Sequence, residues 1–205
     1  MKVQLGALLL SLFSRSLVYL ENQEYENHGQ VLAHLGEVDE ALKRIRECEQ
    51  ILEHLAARGI LGFFGWTYFA LGRASLLLDR LDEAKRLADH AVERSPRQLG
   101  YTVHAWHLLG DIASHRARFD PVSAAAHYRQ TLEVAEPRGM RPLVAHCHIG
   151  LGRLATRAGR SRTARDHFAR ATMMYREMGM GPWLVEAERE ASRGGAGASR
   201  GAESA

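Results

Sequence analysis

Four glycines, Gly29, Gly72, Gly110 and Gly152, recur at intervals of roughly 40 residues, each inside a stretch of helical apolar spacing. A glycine in mid-helix costs about 1 kcal/mol relative to alanine, so its recurrence requires a compensating contact. Close approach of a neighbouring helix is such a contact. Repetition at this period predicts an array of helical hairpins, each burying its apolar face on the next.

The last unit shows the pattern most fully. Leu143, Cys147, Leu151, Leu154 and Ala158 form an apolar stripe at helical spacing, and "RAGRSRTA" then turns the chain at Gly159. The next helix places Ala164, Phe168, Ala171 and Tyr175 on one face. The small residues let the two helices approach while Phe168 fills the space between them. In the unit before it, Trp106, Leu109, Gly110 and Ala113 mark the first helix and Ala124, Tyr128 and Thr131 the second, with Pro121 suited to a first helical turn. Before that come Tyr68, Leu71 and Gly72, then Ala84, Ala88 and Ala91, closed by Pro96. In the earliest unit Gly29 and Leu32 precede a helix marked by Ala41, Ile45 and Cys48.

Composition agrees with this reading. Five prolines among 205 residues, with abundant Ala, Leu, Arg and Glu, favour helix almost throughout. The fold class expected is therefore all-α, a solenoid of about four hairpins with a C-terminal capping helix. A chain of this length can bury a core without metal or disulfide staples, and two cysteines far apart in sequence fit a reducing, cytoplasmic setting. The charge of +3 arises from 27 basic against 24 acidic side chains, a weak argument for a polyanionic partner.

The ends carry separate expectations. Residues 1–21 hold an apolar run broken by Ser14 and Arg15, too short to span a bilayer. A packing helix or truncated repeat is expected there, rather than a secretory signal, and the abrupt start suggests the tail of something longer. Residues 22–191 form the repeat domain, ending in an amphipathic cap from Pro182 to Ala191 with Trp183, Leu184 and Ala187 on its apolar side. Residues 192–205 are rich in glycine and expected to be disordered. Terminal repeats leave room for oligomerisation.

The spacing of Gly152, Gly159, Ala164, Phe168 and Ala171 resembles the tetratricopeptide repeat, as do Trp106, Leu109 and Gly110, and Gly72, Ala84, Ala91 and Pro96. The intervals exceed the family's usual length of about 34 residues. The stretches "HYRQTLEVAEPRGMRPLVAHCHIGLGRL" and "ATMMYREMGMGPWLVEAE" are similar to the C-terminal repeat arms of bacterial regulators that also carry an adenylate/guanylate cyclase domain and an AAA-type ATPase. The resemblance implies a right-handed α-α superhelix and a role in protein interaction or signal sensing. Nothing in the 205 residues resembles the cyclase or ATPase parts, so neither activity carries over.

Several motifs imitate chemistry. "GLGRLA", Gly150 to Ala155, looks like a dinucleotide fingerprint, yet it continues a helical stripe instead of following a strand. His146, Cys147 and His148 offer metal-ligating atoms, but adjacent helical residues point about 100° apart. A structural role is expected for them, with no cofactor and no metal. Acidic residues such as Asp82, Glu83 and Asp166 open second helices, where the helix dipole favours negative charge. No acid/base pair or nucleophile triad is recognisable, so an enzyme is not expected.

Partner binding is assigned to the inward face of the first helices, at Phe69, His104, His107, Asp111, His146 and Arg153. The expected function is a non-catalytic scaffold for a protein or peptide. The alternative is a nucleic-acid-associated regulatory arm using Arg153, Arg157, Arg160, Arg162 and Arg165, although no aromatic stacking platform accompanies them.

Overall fold

The computed structural model describes residues 38–59, 64–95 and 98–199. Among these residues the fold is all-α. The expectations placed on Gly29, Leu32, Pro96 and residues 1–21 lie outside the described residues. The helices fall into two units, with the second beginning at Gln98.

In the first unit, α1 (Val38–Ala57) packs on α2 (Phe64–Leu77), and α2 pairs with α3 (Leu81–Glu93) as a hairpin. Ala41 and Ile45 are buried on α1 as predicted, with Leu52 extending their row, while Cys48 is half-buried. Ala84, Leu87, Ala88 and Ala91 turn a fully buried face of α3 toward α2. Gly72 is buried, and two turns earlier a Cβ on Gly65 would collide with Ser95 Oγ, a close approach within this unit. On the outside, Arg86 joins Glu83 and Glu49 and so ties α3 to α1.

The second unit contains α4 (Leu99–Ser114), α5 (Pro121–Ala135), α6 (Arg141–Arg157), α7 (Ser161–Glu177) and α8 (Gly181–Ser199). Helices α4 and α5 form one hairpin and α6 and α7 the next; α8 packs on α7, and α6 also touches both α4 and α8. This sequential packing is consistent with a helical-repeat arrangement. A short 3₁₀ turn, Arg116–Arg118, lengthens the α4–α5 connection. Asp120 then caps α5 by accepting the Val122 and Ser123 backbone N–H groups, and Pro121 opens the helix where its missing N–H costs nothing.

The short turns share one construction. Gly139, Gly159 and Gly179, and in the first unit Asp79, hold positive φ just beyond a helix. In each case the residue that follows donates its N–H to a carbonyl five positions back: Met140 to Ala135, Arg160 to Ala155, Met180 to Tyr175 and Arg80 to Ser75. This closes the helix end and starts the next helix one residue later. The predicted turn at Gly159 is one of the set. The cost of a left-handed residue explains why glycine fills three of the four positions.

The packing of α6 explains both glycines of "GLGRLA". A Cβ on Gly150 would lie 2.6 Å from Tyr128 Cε2, and one on Gly152 would lie 2.6 Å from Phe168 Cε1. Two rings from two flanking helices press on one helix, so two positions lack side chains. Gly110 meets the same Tyr128 ring from α4, at 2.7 Å. The buried row on α6 includes Leu143, Cys147, Leu151 and Leu154, but Ala158 is the exposed C-cap and does not extend it. Ala164, Phe168, Ala171 and Tyr175 are buried on α7 as predicted.

Helix α8 continues to Ser199, past the expected end at Ala191, since adding a residue to an existing helix fixes one residue per hydrogen bond gained. Leu184, Ala187 and Ala191 face the core, whereas Trp183 remains 42% exposed. Trp183 therefore belongs to the rim of this helix and not to its apolar side. Among the described residues no helix is long and apolar enough to cross a membrane.

Candidate functional site

A helix presents side chains three, four and seven residues apart on one face, so His107 and Asp111 of α4, His146 and Arg153 of α6, and Trp183, Glu186 and Glu190 of α8 form three short rows. Because α6 contacts both α4 and α8, the rows join into one strip. Its aromatic side runs from His107 to His146 (ring centroids 6.0 Å) and on to Trp183 (4.7 Å). Tyr128 and Tyr175 support it from the second helices, 5.5 Å from His107 and His146 respectively.

Hydrogen bonds hold these rings in place. Tyr175 Oη and His146 Nδ1 are 2.6 Å apart, and Tyr128 Oη donates to Asp111 Oδ1 at 2.7 Å. Asp111 also lies 3.4 Å from His107 Nδ1. Burial pushes both tyrosine pKa values up; the carboxylates Asp111, for Tyr128, and Glu186, for Tyr175, push in the same direction. Both phenols therefore stay protonated and act as fixed donors or packing groups.

The charged side of the strip is built on Arg153, whose guanidinium lies 2.5 Å from Glu186 and 3.2 Å from Glu190. Partial burial disfavours its charge, but Glu190 and Glu186 more than offset that and hold its pKa above the usual value. Arg157, one turn further along α6, places its guanidinium 3.6 Å from the Phe119 ring centroid and donates to the Ser114 carbonyl at 2.7 Å.

The structure thus brings His107, Asp111, His146 and Arg153 together. Half-buried His104 stands one turn before His107 on α4. His107 is only 6% exposed and backs the strip instead of lining it. Phe69 lies in the first unit, 4% exposed beside Trp66, so it offers no surface to a partner; its helix turns that face inward. Sequence reasoning missed Trp183, Glu186 and Glu190 as strip residues. Their signal is the i, i+3, i+7 spacing in "WLVEAERE", a row that adjoins Leu184, Ala187 and Ala191 about 100° around the helix.

The three neighbours His146, Cys147 and His148 diverge. His146 turns to Tyr175 and Trp183, Cys147 packs among Ala124, Tyr128 and Leu151, and His148 Nδ1 lies 3.0 Å from His167 Nδ1 on α7. Burial raises the Cys147 thiol pKa well above its ordinary value, a setting that suppresses thiolate chemistry. Among the described residues there is no group of three or more His, Cys, Asp or Glu side chains placed to hold a metal ion.

No protein-family model and no curated protein matches this sequence. The geometry alone therefore carries the functional reading.

Proposed function

We propose that this chain is a non-catalytic helical-repeat scaffold of the tetratricopeptide kind, binding a protein or peptide through the α4–α6–α8 side of its second unit. The observation that carries this reading is the strip in which buried His107 backs His146 and Trp183, assembled from three helices and ending in a partly exposed indole. Tryptophan contributes large contact area with little loss of conformational entropy, and an aromatic anchor bordered by charged groups is typical of interfaces. Support for the repeat family comes from the shared turn construction and from the aromatic side chains set against glycines. A sensory role as the detached arm of a regulator, in a cytoplasmic setting, fits the same surface.

The nucleic-acid alternative loses two of its five arginines to contacts within the chain. Arg153 is committed to Glu186 and Glu190, and Arg157 to Phe119 and the Ser114 carbonyl. Capture from native lysate, with nuclease treatment and with a His146→Ala/Trp183→Ala variant as control, tests the proposal. A stoichiometric protein retained by the wild type after nuclease and lost by the variant is the expected outcome. Recovery of nucleic acid alone would overturn it.

A further inference from the structure

The strip carries more acid than base. Asp111, Glu186 and Glu190 lie along it, and Arg153 is the guanidinium that bridges the two α8 glutamates. Two carboxylates sharing one guanidinium leave a negative charge without a cation of its own, and Asp111, 3.4 Å from His107 Nδ1, adds a second when that imidazole is neutral. Its hydrogen bond from Tyr128 does not neutralise it. The side chains of Glu186 and Asp111 remain 49% and 30% exposed, so both can be reached from solvent.

Trp183 stands one turn before Glu186 on the same face of α8. The indole and the His146 ring meet edge to face, and the indole stacks at 28° on Tyr175 with centroids 6.5 Å apart. An indole held in place, partly exposed and bordered by carboxylates is a site for a cation lying over the ring. The carboxylates supply charge attraction and the ring supplies the π-face.

We propose that this acidic and aromatic strip selects partners that present a lysine or arginine side chain, laid over Trp183 and ion-paired with Glu186 or Glu190. The proposal rests on the scaffold reading above and names its partner chemistry. A guanidinium suits it best, since a planar cation can stack on the indole while pairing with a carboxylate. An acidic segment would meet like charge on approach.

The test is fluorescence-anisotropy titration of the full chain with three labelled pools of random peptides, identical except for one fixed position holding arginine, glutamate or glutamine. The arginine pool is expected to bind roughly tenfold tighter than the glutamate pool at low ionic strength, with the margin shrinking as salt rises. The preference should vanish in Glu186→Gln/Glu190→Gln and weaken in Trp183→Leu, both surface changes whose folding is checked by circular dichroism. Equal binding of all pools, or preference for glutamate, would overturn the charge assignment and leave the scaffold standing. Absence of binding by every pool would overturn both.

Discussion

Tyr128 of α5 lies against Gly150 of α6 so closely that a Cβ at that glycine would overlap the ring. Phe168 bears the same relation to Gly152, two residues further along α6, and comes from α7, the other arm of α6's own hairpin. Gly150→Ala gains about 1 kcal/mol of helix propensity but inserts a methyl into a filled contact. A net loss of stability is expected, with partial recovery when Tyr128 is also changed to Leu. Gly152→Leu should cost about 2 kcal/mol or more, read from chemical denaturation. A change within about 0.5 kcal/mol in either variant would show that the helices can separate without penalty.

Acid should loosen the α6–α7 contact. His148 is 5% exposed, and its pKa falls to about 4, first from burial and then from the nearby His167 and Arg170 charges. An unfolded histidine titrates near 6.5. The unfolded chain therefore binds more protons between those values, and stability present above about pH 6.5 drains away as pH falls toward 4, by about 3 kcal/mol. His167 is shifted down as well, mainly by burial, and adds in the same direction. Denaturation midpoints between about pH 7 and 4.5 should slope steeply in the wild type and less in His148→Gln. Parallel slopes would place the acid sensitivity elsewhere.

The left-handed turns offer a matched pair of substitutions. Asp79 has φ 57° where its counterparts are glycines, and Gly159 has φ 70° with nothing within 4 Å of where a Cβ would stand. Asp79→Gly should stabilise by several tenths to about 1 kcal/mol, and Gly159→Ala should destabilise by about 1 kcal/mol. Thermal melts of both variants check this. Shifts of the same sign would mean that backbone conformation does not control these turns.

Much of the repeat is legible in the sequence because local rules write it. Helical periodicity marks Ala164, Phe168, Ala171 and Tyr175, all of which are buried, and the turn at Gly159 follows from the stereochemistry of a left-handed residue. Pro121 likewise announces the start of α5, and the structure adds the Asp120 cap. The strip is only half visible. His146 and Arg153 share a predicted face, but the same reasoning assigns Phe69 to that kind of surface although it is buried in another unit. Helical spacing shows which residues share a face, and does not show which way that face turns.

By itself the sequence determined that the chain folds as successive helices, most of the residues in their apolar rows, and that glycines recur where something must come close, while the end of α8 and the side of Trp183 escaped it. Those properties depend on backbone stereochemistry and on neighbours within a turn or two. Only the tertiary structure decided that Tyr128 and Phe168 are what come close, that Arg153 belongs to the glutamates of α8, and that Trp183 remains at the surface beside His146. These pairings join residues far apart in sequence, and they are set by how whole helices pack, which no local pattern specifies.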